Sequence, residues 1–349
     1  METRYQYALP DDPLQAQSAV EEAADIIRTG GLVIFPTETV YGLGANALFE
    51  DAAAKIYAAK GRPADNPLIV HVAHPKDAEG FAHTTPLYYR LAEAFMPGPL
   101  TVILAAKDNL PRTVTAGLDT VAVRCPSHPV AAALIEASGV PIAAPSANLS
   151  GSPSPTNALH AKDDMWGRVD MILDGGECLC GVESTIVKPE EDGSLLLLRP
   201  GSVTKEALET RLGVTVRVAP AVLGQLKEGE KVLSPGMKYR HYAPKAQFIL
   251  LDGTAESRIK FLAEQKNNKI AYLCYDEEGE ALSALPVKLL FIGKEQDTQA
   301  QAQVLFRILR DTDKEGFDVI YAPLPKAEGL GMALYNRMIR AAAHQIISL

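Results

Sequence analysis

The chain has 349 residues, 47% apolar and 22% charged, the balance of an ordinary globular protein with length for about two domains. A net charge of −9 argues against a protein whose main business is gripping nucleic-acid backbone, because that binding draws on clustered Lys and Arg. Met1 to Pro13 has no apolar core of a signal peptide, no apolar run approaches the roughly 20 residues that span a bilayer, and the four cysteines are too few and scattered for a disulfide framework; a cytoplasmic chain off the membrane is expected.

In chain order, Asp12-Pro13, the periodic stretch 16–27 and Gly30-Gly31 predict a capped helix. Short apolar runs then predict strands at 32–35, 68–72, 101–105, 121–124, 142–144, 171–173, 185–187 and 195–198, with helices at 51–59 and 130–138 between them. The pattern weakens over 218–244, where Ser234-Pro235-Gly236 punctuates the chain as a linker would. It restarts with strands at 248–251, 270–275, 287–292 and 319–322 and helices at 257–265, 298–310 and 332–347. The expected class is α/β: a twisted open α/β domain over 1–217, a linker or lid over 218–245, and a smaller Rossmann-like α/β domain over 246–349.

Gly42-Leu43-Gly44-Ala45-Asn46-Ala47 fits a dinucleotide fingerprint, with Asp65 about 20 residues on. The context argues against it, since Pro36 to Tyr41 intervene between the strand and the first glycine. Cys178-Leu179-Cys180 lacks the spacing and the second ligand pair of a zinc site. No Walker loop occurs, so a bound triphosphate needs another cradle. Lys60-Gly61-Arg62 supplies cations beside a flexible glycine, and Pro145-Ser146-Ala147-Asn148 supplies hydroxyl and amide donors after a buried strand. Singly these are ordinary helix-end charges and turn formers. Jointly they gain weight from placement, because ligands of an open α/β sheet collect outside the carboxyl ends of its strands, where residues 37–41, Arg124 and Ser146 should emerge. His71 taken alone is ambiguous.

The run Leu32 to Gly44 through Pro36-Thr37-Glu38-Thr39-Val40-Tyr41, then Lys60-Gly61-Arg62-Pro63 with Asn66-Pro67-Leu68, then Ser146-Ala147-Asn148-Leu149-Ser150-Gly151, resembles the YrdC-type threonylcarbamoyl-AMP synthases, whose signature is K-x-R with S-x-N. Pro97-Gly98-Pro99, Val123-Arg124-Cys125-Pro126, Glu183-Ser184-Thr185 and Leu198-Arg199-Pro200-Gly201 extend the resemblance over residues 15–210, and 234–244 resembles the linker of the long, two-domain members. The resemblance implies a YrdC-like N-terminal fold and a nucleotidyltransferase that makes L-threonylcarbamoyladenylate and pyrophosphate from L-threonine, bicarbonate and ATP with Mg2+. It implies that a separate tRNA threonylcarbamoyltransferase consumes the product, so direct tRNA binding is not expected. Carried over by position, it implies threonine contacts from Thr39, His71, Arg124, Ser184 and the strand end at Ala144. It implies ATP contacts from Lys60, Arg62, Asn66, Thr120, Ser146, Asn148, Ser154, Arg199 and Tyr242, with Lys60 and Arg62 carrying the catalytic charge; no metal-ligating residues are implied. Two rivals stand beside it. A carbamoyl-adenylate-forming enzyme of the hydrogenase-maturation kind should carry zinc-finger cysteine pairs that are not visible, and a double-stranded RNA-binding module fits poorly with the acidic charge. In the linker, Met237-Lys238-Tyr239-Arg240-His241-Tyr242 is rich in aromatics and cations for a passive spacer, and suggests a lid over the nucleotide.

Overall fold

The computed structural model describes residues 2–224, 242–265 and 269–349; the greater part of the expected linker, including Tyr239, lies outside the described residues. The first helix, Pro13–Arg28, starts where Asp12 Oδ1 accepts the Gln15 N–H and proline occupies the first turn. Its buried stripe, Ala19, Val20, Ala23, Ala24 and Ile27, recurs at helical spacing and packs on the helix Pro129–Ser138. Ala23 and Ala24 are fully buried, so a larger side chain there forces the two helices apart.

Among the described residues, twelve strands form the large N-terminal sheet. Its middle runs Met171–Asp174, Val33–Phe35, Gly42–Asn46, Ile142–Ala144, Ile69–His71, Thr120–Arg124, Leu100–Ala106, Thr185–Pro189 and Leu195–Arg199. The sheet is mixed: Ile142–Ala144 runs antiparallel to Ile69–His71, whereas Thr120–Arg124 runs parallel to it. Thr37, Arg124 and Ser146, expected at the carboxyl ends of strands, end or closely follow a strand even in this mixed sheet. Gly42–Asn46 is itself a strand, paired antiparallel with Val33–Phe35, so its glycines do not form the turn of a dinucleotide fingerprint. A Cβ on Gly44 would stand 2.7 Å from Phe35 Cε1 and 2.8 Å from Ile142 Cγ2; the missing side chain lets Phe35 lie against the strand.

The N-terminal domain reaches further than residue 217. The strand Val216–Val218 closes its edge and the short helix Pro220–Leu223 buries Ala221 and Val222 in its core. The C-terminal sheet is wholly parallel, in the order Lys288–Phe291, Ile270–Cys274, Val319–Pro323, Gln247–Asp252, Ile346–Ser348. By chain position this is 3-2-4-1-5, an α/β sheet of the Rossmann-like kind with a strand order different from that of dinucleotide binders. The helix expected over 332–347 is Gly331–Ala341 instead. Ala343 and His344 turn through left-handed backbone (φ 47° and 62°), and the β-branched Ile346-Ile347 pairs with Leu250–Asp252 as an edge strand.

The domains trade side chains. Val40 and Val182 of the first sit in the core of the second, and Met332 of the second sits in the core of the first. Arg310 on the helix Thr298–Glu315 pairs with Asp164 at 2.7 Å, and a Cβ on Gly181 would lie 2.3 Å from the Ala302 carbonyl. The domains meet too closely there for any residue but glycine.

Candidate active site

A cavity opens on the N-terminal sheet where His71, Arg124, Ala144 and Arg199 are each the last residue of their strand, with about 690 Å³ of unfilled space including its mouth. Among the described residues its wall sets Lys60, Arg62, Arg124 and Arg199 against the one carboxylate of Glu183, so this acidic chain gathers positive charge at one place.

Lys60 closes the helix Glu50–Lys60, and Gly61 in left-handed conformation (φ 61°) reverses the chain after it. The Arg62 N–H donates to the Tyr57 carbonyl and the Gly61 N–H to that of Ala58, a Schellman-type ending that accounts for glycine between the two cations. The buried Lys60 Nζ donates to the Ser146 carbonyl at 2.6 Å, to the Asn148 carbonyl, and at 3.5 Å to Asn148 Oδ1. Three acceptors match the three protons of an ammonium, and they tie the Lys60 helix end to the Ser146-Ala147-Asn148 loop. Burial first, then Arg62, pushes the Lys60 pKa well down, opposed by Asp164. The loop continues the strand Ile142–Ala144: Leu43 N–H donates to the Pro145 carbonyl, and Ala147 N–H to that of Tyr41. Arg62 reaches the Asn66 and Pro67 carbonyls, at 3.3 and 3.1 Å through Nη2.

At the other end of the cavity, His71 and Arg124 stand side by side on parallel strands in direct register. His71 Nδ1, Arg124 Nε and Arg124 Nη2 are buried without a hydrogen-bond partner among the described residues. Arg124 Nη2 lies 2.8 Å from Glu38 Oε1 in an ion pair too oblique for a hydrogen bond, with both side chains about 95% buried. Burial, then the Arg124 charge, pushes the His71 pKa down to about 3, so the ring is neutral at pH 7. Orphaned donors this deeply buried are costly unless a ligand oxygen meets them.

Of the residues singled out from sequence, Lys60, Arg62, His71, Arg124, Ala144, Ser146, Asn148, Arg199 and Tyr242 line this cavity. Four others do not line it and stand one bond behind a group that does. Thr39 Oγ1 bonds Thr37 Oγ1 at 2.8 Å, and it is Thr37 that faces the cavity. The Ser184 carbonyl and hydroxyl accept from Arg199 at 2.9 and 3.0 Å, the Asn66 carbonyl accepts from Arg62, and Ser154 Oγ donates to Glu183. Thr120 is set apart. It shares a strand face with Arg124 but lies four residues, about 13 Å, away along it, and lines a separate depression with Ile103 and Lys188. Thr37, Glu38 and Glu183 stood inside segments that the sequence singled out, 37–41 and Glu183-Ser184-Thr185, but were given no contact of their own.

Tyr242 stacks on Phe306 of the C-terminal domain at 5.2 Å between ring centroids and presents its other surroundings to the cavity, in left-handed backbone (φ 65°). Burial first, then Glu183, raises its pKa. Burial pushes Arg199 down to about 10, which leaves it charged at neutral pH.

Two family models cover the chain: one described as telomere recombination matches residues 25–201, and one described as the threonylcarbamoyl-AMP synthase C-terminal domain matches 203–343. The threonylcarbamoyl-AMP synthase of Pyrococcus abyssi is 45% identical over 333 residues, 93% of this chain and 94% of the relative. That of Bacillus subtilis is also 45% identical over 333 residues, 94% of each. The chain belongs to the threonylcarbamoyl-AMP synthase family. It is thus an enzyme of the nucleotidyltransferase type, with the two-domain architecture. The crystal structure of Pyrococcus abyssi Sua5 complexed with L-threonine superposes with a TM-score of 0.88 at 41% identity, covering 100% of both chains. The Escherichia coli protein YciO, 27% identical, matches with a TM-score of 0.51 over 58% of this chain and 96% of its own.

Among the described residues no helix is long and apolar enough to cross a membrane.

Proposed function

We propose that the cavity joins L-threonine, bicarbonate and ATP into L-threonylcarbamoyladenylate, with release of pyrophosphate and water. The observation that carries this reading is the division of one cavity into two chemically different ends. At one, the orphaned donors of Arg124 suit a carboxylate and His71 Nδ1 suits a proton-bearing group of the same ligand. At the other, Lys60, Arg62, Ser146 and Asn148 converge as a phosphate cradle. A relative crystallised in complex with L-threonine supports threonine as a ligand of the cavity.

The threonine amine takes up bicarbonate to give a carbamate and water. A carbamate oxygen attacks the α-phosphorus, the bond to the β-phosphate oxygen breaks, and pyrophosphate leaves. Such a displacement needs alignment and charge neutralisation rather than a protein nucleophile. Phosphate oxygens beside Lys60 favour its protonated form against the burial that lowers its pKa. Magnesium would be held chiefly by phosphate and water, with the Ser146 and Ser150 hydroxyls of the wall as available oxygen donors, and would neutralise phosphate charge. The product would pass to a tRNA threonylcarbamoyltransferase in the cytoplasm.

Mass spectrometry of purified protein with ATP, bicarbonate and threonine tests the reading: the acyl-adenylate should form, and pyrophosphate release should require threonine and bicarbonate. Equal release without them, or carbamoyl phosphate serving in their place, would overturn it.

A further inference from the structure

We propose that the C-terminal domain completes the cavity through Arg337, which neutralises and fixes Glu183 so that Arg199 stands ready for the nucleotide; Arg337 and Glu183 are positioning residues. The inference rests on the proposed function.

Arg337 comes from the helix Gly331–Ala341 and is fully buried. Its Nε donates to Glu183 Oε2 at 3.0 Å, its Nη2 to the Glu183 carbonyl at 3.3 Å, and its Nη1 to the Pro200 carbonyl at 2.5 Å. Glu183 and Pro200 are the two open ends of one antiparallel hairpin, the strands Thr185–Pro189 and Leu195–Arg199. One side chain of the second domain thus pins both ends of a hairpin of the first, and Arg199, next to Pro200, is a wall residue of the cavity. The ends are drawn so close that a Cβ on Gly201 would lie 2.6 Å from the Glu183 carbonyl oxygen.

The charges explain the need. Glu183 feels both Arg337 and Arg199. Its Oε2 is engaged by Arg337 and its Oε1 takes the Ser154 hydroxyl proton at 2.5 Å, so the carboxylate is spoken for. Remove Arg337, and an unbalanced buried carboxylate remains on the cavity wall, drawing Arg199 to itself and repelling phosphate. Arg337 also lies 5.9 Å from the Tyr242 ring centroid, a second contact with a wall residue.

The test measures kcat and KM for ATP and for threonine in the full-length protein. Arg337→Gln should raise KM for ATP at least tenfold while changing KM for threonine less than threefold. Arg337→Lys, which keeps the charge and loses the fork, should fall between it and the wild type. The pair Glu183→Gln with Arg337→Met removes both charges and should bring KM for ATP back toward the wild-type value; it also covers the case in which Arg337→Gln fails to fold. Gln303→Ala is the control, since Gln303 bonds the Leu179 carbonyl across the same domain boundary without lining the cavity, and its KM values should not move. An unchanged KM for ATP in folded Arg337→Gln, an equal rise in Gln303→Ala, or a double variant worse than the single one sinks the inference alone. A wild-type protein that makes no acyl-adenylate sinks the proposed function and this inference with it.

Discussion

Arg124 has two jobs that a pair of substitutions can separate. Arg124→Leu leaves the Glu38 carboxylate about 95% buried and, among the described residues, bonded only to the Ser127 N–H at 3.2 Å. Breaking a buried pair by removing one partner costs about 3–5 kcal/mol, which for a domain of this size lowers Tm by roughly 6–20 °C. Replacing both charges, in Arg124→Leu with Glu38→Leu, leaves no buried charge behind, and stability should return to within about 1–2 kcal/mol of wild type. Threonine binding should not return. The two donors that Arg124 holds unbonded are each worth about 1.5–3 kcal/mol to a carboxylate, so Kd should rise roughly 10- to 150-fold per bond lost. Thermal unfolding followed by near-ultraviolet circular dichroism reads the first quantity, and isothermal titration with L-threonine reads the second. A double variant that is stable and binds threonine as tightly as the wild type would falsify the assignment and reduce Arg124 to a partner of Glu38.

Three further outcomes are expected. The His71 pKa, about 3 in the folded protein, lies below its unfolded value of about 6.5, so its contribution to stability is complete above pH 6.5 and is lost as pH falls toward 3, at up to about 1.4 kcal/mol per unit. Between pH 6.5 and 5 the wild type should therefore lose about 2 kcal/mol more than His71→Gln in urea unfolding, and parallel slopes would contradict the burial of a neutral ring. Lys60→Met leaves the Ser146 and Asn148 carbonyls without their donor and removes a phosphate-facing charge; kcat/KM for ATP should drop roughly 100-fold or more, and near-normal turnover in a folded variant would return Lys60 to a structural role. Gly44→Ala drives a methyl group into Phe35 and Ile142 and should cost about 1–3 kcal/mol, read as a lowered Tm; an unaltered Tm would mean that the strands part without strain.

What the sequence revealed followed from local chemistry. The helix Pro13–Arg28 was legible because Asp12 caps it and its alanines recur at helical spacing. Lys60 and Arg62 were legible because a left-handed glycine between two cations marks a helix end, and Ser146 and Asn148 because short polar residues follow a buried strand. What stayed hidden depends on partners far along the chain. Gly42–Asn46 carries two glycines, poor strand formers, and becomes a strand only because Phe35 packs where their side chains would be. The mixed direction of the central strands is a property of pairing, which no single strand's sequence records. Thr37 faces the cavity while Thr39 stands behind it, a distinction that two hydroxyl residues on either side of Glu38 cannot announce. Glu183 and Arg337 are 154 residues apart, and neither carries any local sign of the other.

The position of Arg337 has a consequence for the protein's manufacture. It lies 154 residues after Glu183 and 137 after Pro200, the residues it holds, so they leave the ribosome long before it. The N-terminal domain has every strand of its sheet by Val218, so it can form while the rest is still being translated. Its cavity wall then waits for the last helix. A chain released before Arg337 is made is therefore folded in its larger part and unbalanced at its centre, and its cavity stays incomplete until the helix Gly331–Ala341 docks.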